Sequence, residues 1–219
     1  MTVAPEASLA TITRLVIAVA DALEGASGHL GELDAVAGDG DHGLTVAEAA
    51  RSIRTKLSEE SPKDVEALLD LAAAEFAQSG GAMSVVAYVL LGAVGHATAE
   101  IRGELSALDV SRLLGVAQDA VSEFGRAQPG DKTIVDVIFA AREAAVDRAN
   151  LGGSAGEALL AAAQGARKGS DGTAGMIARV GRASRLGEIS RGTIDPGAES
   201  FAISMEALVA AYASGSVQE

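Results

Sequence analysis

The stretch Asp34-Ala-Val-Ala-Gly-Asp-Gly-Asp-His-Gly43 places three carboxylates, one imidazole and three glycines within ten positions. Carboxylates this close repel one another unless a positive charge lies among them, so the stretch indicates a site for a hard cation. The glycines allow tight turns and a close approach of the backbone to a ligand. Asp34, Asp39 and Asp41 are therefore candidate Mg²⁺ ligands; the alternative is a solvated turn, where Asp and Gly are common.

Two well-known loop motifs resemble this stretch without fitting it. Gly38 to Gly43 matches the dinucleotide-binding pattern G-x-G-x-x-G, but that mechanism needs a preceding strand, and a helical pattern precedes it here. An EF-hand loop needs a bidentate Glu at its twelfth position, which counted from Asp39 is Ala50. A loop that gathers carboxylates around Mg²⁺ is the interpretation that survives.

Composition limits the classes of function. The 219 residues suffice for one sizeable core, and we expect a single domain over residues 1–219. The formal net charge of −13 argues against nucleic acid and anionic membrane as partners. The absence of cysteine excludes disulfides and thiolate metal sites. No targeting segment and no apolar run of membrane-spanning length is evident, so we expect a cytoplasmic protein without a membrane partner.

Apolar residues recur at three- and four-residue steps along the chain, and this pattern predicts an all-α fold. The predicted helices span about 6–24, 44–57, 62–76, 82–99, 107–124, 133–148, 154–168, 170–179 and 198–213, with a short helical turn at 29–33. The segment 82–99 is the most apolar and is predicted to be the most buried helix, with His96 as a core residue. Residues 180–197 are polar and aperiodic, and form a candidate functional loop.

Three further segments have both a functional and a structural interpretation. Gly125 to Thr133 resembles a phosphate loop, but Asp131 is inserted before the lysine and no strand precedes it. This loop either faces a polar ligand or simply begins a helix that Thr133 caps. The pair Gly80-Gly81 either leaves N–H groups open to phosphate or permits close helix packing. Arg182 either makes bidentate hydrogen bonds to phosphate or stacks on a base, or it is simply solvated.

The motifs together resemble the nucleotide-binding L subunit of the dihydroxyacetone kinase family. The resemblance covers nearly the whole chain, and five motifs in register are specific where each one alone is weak. The segments that carry it are Glu32-Leu-Asp-x-x-x-Gly-Asp-Gly-Asp-His-Gly43, Gly80-Gly81, Pro129-Gly-Asp-Lys-Thr133, Gly181-Arg-Ala-Ser184 with Leu186-Gly-Glu188, and Ile194-Asp-Pro-Gly-Ala198.

The resemblance implies an antiparallel eight-helix barrel that holds ADP or ATP at one end through two Mg²⁺ ions. It implies that Asp34, Asp39 and Asp41 bind the metal. The residues that it places against the nucleotide are His42, Thr45, Gly80, Gly81, Gly130, Thr133, Arg182, Asp195, Pro196 and Gly197, and the first three aspartates with His42 form the catalytic set.

Two positions depart from the family pattern. Met83 stands where a phosphate-binding serine is usual, so either Ser84 replaces it after a one-residue shift or the phosphate contact is weaker. Arg185 stands where the late loop usually has Tyr.

The family also implies a division of labour between chains. The sugar binds covalently to a histidine of a separate K-type subunit or domain, so this chain alone is not expected to turn over substrate. The phosphoryl donor is then either free ATP or a phosphotransferase-system protein that recharges a resident ADP, and a homodimer is a further expectation. The alternative function is an ADP-binding regulatory module that docks to a transcription factor or enzyme, an idea that Met83 favours.

Overall fold

The computed structural model describes residues 8–101 and 103–215. These residues form helices and no strands, which confirms the all-α prediction. The helices are α1 Leu9–Gly25, α2 Ser27–Ala37, α3 His42–Glu59, α4 Val65–Gln78, α5 Gly81–Thr98, α6 Ala107–Gly125, α7 Ile134–Asn150, α8 Ala155–Thr173, a 3₁₀ helix Ala183–Ser190, and α9 Pro196–Gly215. The predicted start of the first helix near residue 6 lies outside the described residues.

Eight of these helices form a closed antiparallel ring. They have 14 to 20 residues each, and α2, with 11 residues, is the exception. Around the ring α1 packs against α3, each helix from α3 onward packs against the next, and α9 packs back against α1. Short α2 lies outside this order, against α3 and α9. The arrangement is the eight-helix barrel that the resemblance implied, with α2 longer than the turn predicted at 29–33.

The interior of the barrel is apolar. One cluster of buried side chains lies among α6, α7, α8 and α9, and a second lies among α1, α2, α3, α4 and α5. Met83 is partly buried and packs against both clusters. Between them runs an apolar cavity of about 350 Å³. The side chains of the ring helices therefore meet around a central space that they do not fill completely.

Local sequence explains where several helices begin. Ser106 with Asp109 starts α6, Thr133 with Asp136 starts α7, and Ser154 with Glu157 starts α8, each as a capping box. In such a box the N-cap hydroxyl and the acidic side chain satisfy backbone N–H groups that have no helical partner. The Ser154 box was predicted from its spacing and is confirmed.

The prediction of a separate helix over 170–179 is wrong. Helix α8 continues without a break to Thr173, and residues 174–182 form turns and irregular chain. Gly169 lies within α8, where an added Cβ would approach the Cα of Val137 on α7 to 3.0 Å. This glycine therefore allows α8 to pack closely on α7 and does not end the helix. The long late loop contains the 3₁₀ helix Ala183–Ser190.

The prediction that 82–99 is the most buried helix is also wrong. Only 22% of α5 is buried, and Tyr88 on its outer face is 51% exposed. His96 is not a core residue, since its exposed ring contacts Glu66 at 3.2 Å. Among the described helices, α5 alone is long and apolar enough to cross a membrane by length and composition, a test that core helices also pass. Here it packs against α4 and α6 as part of the ring.

Candidate metal and nucleotide site

The three predicted metal ligands converge at one end of the barrel. Helix α2 ends at Ala37, residues 38–41 turn, and α3 begins at His42. Asp34 in the last turn of α2 is buried, while Asp39 and Asp41 in the turn are exposed. One ligand oxygen from each of the three lies within 4.8 Å of the others. Three carboxylate oxygens at this spacing suit a hard divalent cation.

The turn can form because α2 and α3 approach each other unusually closely. A Cβ on Gly43, in the first turn of α3, would lie 1.9 Å from the carbonyl oxygen of Ser27. Only a residue without a side chain fits between these two backbones. Gly40 adopts a positive φ of 77°, which lets the chain reverse between the helices. Gly40 and Gly43 thus allow the chain to bring Asp39 and Asp41 close to Asp34.

His42 connects the carboxylates with α9. Its backbone N–H donates to the carboxylate of Asp34 at 3.3 Å, and its buried ring lies 2.7 Å from the hydroxyl of Ser200. Burial lowers the pKa of His42, although the charge of Asp34 opposes this effect, so the neutral imidazole is favoured. No sequence motif points to Ser200, which is 158 positions away from His42.

Arg182 supplies the positive charge that the carboxylates need. Its guanidinium donates a hydrogen bond to Asp39 and lies 3.9 Å from Asp41. Desolvation opposes the change, but hydrogen bonds with Asp41 and Arg182 lower the pKa of Asp39. Desolvation, together with the neighbouring Asp39, raises the pKa of Asp41. The structure thus brings together four residues that the sequence separates by up to 148 positions.

The glycine pair lies beside the first turn of α3. Gly80 and Gly81 both have positive φ values, 77° and 78°, directly before or at the start of α5. An added Cβ on Gly80 would meet nothing within 4 Å, so close helix packing does not explain this residue. An added Cβ on Gly81 would lie 3.8 Å from the hydroxyl of Thr45. The pair therefore presents a helix N-terminus next to Thr45, an arrangement that suits an anion.

The residues after the glycine pair face the protein. Ser84 is buried, and its hydroxyl donates to the carbonyl oxygen of Gly80. Met83 packs into the apolar interior. The hydroxyl of Ser84 therefore lies next to the glycine pair, while the Met83 side chain is part of the core.

The remaining predicted residues form a second group, which lies in two loops, one leading into α7 and one leading into α9. The hydroxyl of Thr133 accepts the N–H of Val135 as the cap of α7, so the capping interpretation of this threonine holds. The carboxylate of Asp195 accepts the N–H of Ala198 at 2.8 Å, and Pro196 opens α9. Desolvation raises the pKa of Asp195 to about 6 against the opposing effects of hydrogen bonds and Lys132.

Helix α9 relates this second group to the carboxylate end, because Ser200 lies one helical turn after Pro196 and contacts His42. Among the described residues, no hydrogen bond joins Gly130 or Thr133 to the three aspartates; the N–H groups of both donate to Asp136. The two groups of predicted residues are therefore joined through the first turns of α9.

Comparison with known proteins settles the family. The model of the DAK2 domain matches residues 36–210. The chain belongs to the DAK2 domain family. Over 84% of its length it is 33% identical to the ADP-binding subunit DhaL of the PEP-dependent dihydroxyacetone kinase of Escherichia coli, of which it covers 88%. This similarity confirms the resemblance to the L subunits of dihydroxyacetone kinases.

Other DAK2 relatives are longer. The chain is 38% identical to the L-erythrulose kinase of Pectobacterium atrosepticum over 83% of its own length and 31% of that protein. It spans about a third of the length of the first curated relatives that it matches. The dihydroxyacetone kinase of C. freundii, crystallised with AMP-PNP and Mg²⁺, has the same fold, with a TM-score of 0.70 over 95% of this chain, 35% of that chain and 24% identity.

Proposed function

We propose that this DAK2 protein is the nucleotide-binding component of a small-ketose kinase. It would hold ADP or ATP with two Mg²⁺ ions and allow phosphoryl transfer to a hydroxyl group of a triose- or tetrose-like ketose. The observation that carries the proposal is the convergence of Asp34, Asp39, Asp41 and Arg182 beside the helix N-terminus at Gly80-Gly81. Relatives named as dihydroxyacetone and erythrulose kinases support this class of substrate.

Each group has a distinct task in the proposed site. Asp34, Asp39 and Asp41 would hold Mg²⁺, which neutralises phosphate charge when bound. Gly80 and Gly81 would donate backbone N–H groups to phosphate oxygens. Thr45 would border the same phosphates, and Ser84, buried beside Gly80, would hold the glycine pair in place through its hydroxyl group.

His42 would meet the phosphates as a neutral imidazole held by Ser200. Arg182, which contacts the carboxylates, would turn to the phosphate or the base once Mg²⁺ neutralises those carboxylates. Gly130, Thr133, Asp195, Pro196 and Gly197 would border the nucleoside. Position and charge neutralisation are the main protein contributions to phosphoryl transfer.

The sugar would be presented by another protein unit. We propose a K-type sugar-binding partner and, as phosphoryl donor, either ATP or a phosphotransferase-system protein. The names of two relatives, a PEP-dependent and a PTS-dependent DhaL subunit, support the second donor. We further propose that residues 1–219 form one domain, that the protein acts in the cytoplasm as a homodimer, and that it binds neither nucleic acid nor membrane.

Replacement of one metal ligand tests the proposal. Asp39→Asn should abolish Mg²⁺-dependent ADP binding measured by calorimetry while the helical circular dichroism stays unchanged, because an amide cannot neutralise the cation. Asp119→Asn, at an exposed position on α6, is the matched control and should bind as the wild type does. ADP binding by Asp39→Asn with wild-type affinity would refute the metal assignment.

A turnover assay separates the kinase from the regulatory module. The full chain is incubated with a K-type subunit, a ketose and either ATP or a phosphorylated phosphotransferase protein. Ketose-dependent consumption of one donor supports the kinase. Tight ADP binding without turnover beside any K-type subunit supports the alternative, an ADP-dependent regulatory module.

A further inference from the structure

Lys132 lies in the loop between α6 and α7 in an unusual state. Its φ of 62° is in the left-handed region, which a long side chain seldom adopts, and the residue is only 5% exposed. A buried ammonium at a strained backbone position persists only where its surroundings hold it. Its own contacts show what holds it.

The ammonium of Lys132 joins two distant segments. It donates to the carbonyl oxygen of Thr173 at 2.6 Å and to the carbonyl oxygen of Thr193. Thr173 ends α8, where the last carbonyls have no helical partner and carry partial negative charge. Thr193 lies two residues before Asp195. One side chain therefore fixes the loop 128–133 to the end of α8 and to the segment that leads into α9.

The loop 128–133, the end of α8 and the segment 193–195 meet at what we call the Lys132 junction. Further hydrogen bonds fix its geometry. Asp136 accepts the N–H groups of Gly130 and Thr133, which fixes the loop around Lys132. The hydroxyl of Thr173 accepts the N–H of Asp195 at 2.9 Å. Both loops that this network joins carry residues proposed to border the nucleoside.

One ammonium group and two carboxyl groups meet at this junction. Burial lowers the pKa of Lys132, and the nearby charges of Asp195 and Asp136 oppose that effect. In the described residues, no buried side-chain nitrogen or oxygen at this junction lacks a hydrogen-bond partner. The junction thus has the properties of a rigid element and not of a solvated surface lysine.

We propose that Lys132 is a positioning residue, which fixes the loop 128–133 against the turn 193–197 at the separation that binds the nucleoside of ADP or ATP. This inference rests on the proposed nucleotide-binding function. Lys132 acts through the carbonyls of Thr173 and Thr193 and does not itself contact the nucleotide. Its loss therefore affects recognition of the nucleoside and leaves the carboxylate end, where the phosphates bind, intact.

A comparison of two ligands tests this division. Calorimetry measures the binding of ADP and of inorganic pyrophosphate, each with Mn²⁺, to the full-length chain. Lys132→Met removes the charge but keeps the stem, and Lys132→Gly suits the positive φ and is the variant most certain to fold. Both should weaken ADP binding roughly tenfold or more, since a charged hydrogen bond is lost, and change pyrophosphate binding by less than about twofold.

The control is Lys56→Met on α3, a half-buried lysine that pairs with Glu60, which should change neither affinity. Because the chain has no cysteine, Lys132→Cys can be alkylated with bromoethylamine in the unfolded state and refolded. The resulting lysine isostere should restore ADP affinity, which a general loss of stability does not predict.

The outcomes separate the inference from the function on which it rests. If Lys132→Gly binds ADP as the wild type does, or loses ADP and pyrophosphate equally, the positioning role is overturned while the nucleotide site stands. If the wild type binds pyrophosphate with Mn²⁺ but not ADP, or binds neither, the proposed nucleotide function itself fails.

Discussion

Gly43→Ala should both destabilise the protein and weaken the candidate metal site. The added Cβ would lie 1.9 Å from the Ser27 carbonyl oxygen and 2.7 Å from the Gly31 nitrogen, whereas real Cβ atoms essentially never come within 3.0 Å of another heavy atom. Both neighbours are backbone atoms of α2, so no side chain can rotate away. Helices α2 and α3 must therefore separate by about 1 Å near the site.

The loss of stability and of Mn²⁺ affinity can be estimated from this geometry. Overpacking costs about 1–3 kcal/mol, and because the clashing neighbours are backbone atoms this substitution lies near the upper end. For a chain of this size, about 3 kcal/mol lowers the melting temperature by roughly 6–12 °C. Because α2 carries Asp34 and the following turn carries Asp41, the same shift should weaken Mn²⁺ binding by about tenfold or more.

Two other glycines provide the controls. Gly92 on α5 has open space around it, so Gly92→Ala should be neutral or stabilise by about 0.5–1 kcal/mol. At Gly165 on α8 an added Cβ would lie 2.5 Å from the carbonyl oxygen of Ala140 on α7, and its nearest neighbours would all belong to α7 and none to α2 or α3, so Gly165→Ala should lower the melting temperature and leave Mn²⁺ binding unchanged. Thermal unfolding and Mn²⁺ titration measure both effects. A Gly43→Ala protein that melts within about 2 °C of wild type, or binds Mn²⁺ as tightly, would refute the reasoning.

Two further predictions concern charge. The folded-state pKa of Asp195 is raised from 3.8 to about 6, so the folded protein binds this proton more tightly than the unfolded chain does. Relative to Asp195→Asn, the wild type should therefore lose up to roughly 3 kcal/mol of stability as the pH rises from about 4 to 6. Urea unfolding across this range checks it, and a pH-independent difference contradicts it. Arg182→Gln removes a cation from Asp39 and Asp41, so it should strengthen binding of Mn²⁺ alone by up to about fivefold, as followed by electron paramagnetic resonance; unchanged or weaker binding would show that the guanidinium does not compete with the metal.

Much of the candidate site could be predicted because its three candidate metal ligands are neighbours in the chain. Asp34, Asp39 and Asp41 fall within eight positions, and glycines between them force a turn whatever the rest of the fold does. Capping at Ser154 is equally local, since the hydroxyl and Glu157 lie three residues apart. Such features depend on short-range steric contacts and hydrogen bonds, which can be inferred from the spacing of residues in the sequence.

The two wrong predictions, a separate helix over 170–179 and a buried helix over 82–99, have a shared cause. Gly169 and Gly172 weaken the helical pattern, yet α8 continues through Gly169 because close contact with α7 outweighs low helix propensity. Apolarity predicted burial for α5, but a helix in a single ring has one face toward the interior and one toward the outside. Neither the neighbour of a glycine nor the outer face of a ring is visible in the periodicity of one segment.

The sequence by itself determined the helical class, the carboxylate turn and the family. Only the tertiary structure decided which distant groups complete the site: Arg182 against Asp39, Ser200 against His42, and Lys132 between Thr173 and Thr193. These pairs are separated by up to 158 positions, and no local spacing relates them. They meet because the ring closes, with α8 packed against α7 and α9 packed back against α1. This closure depends on the summed burial of many apolar side chains and not on any single motif.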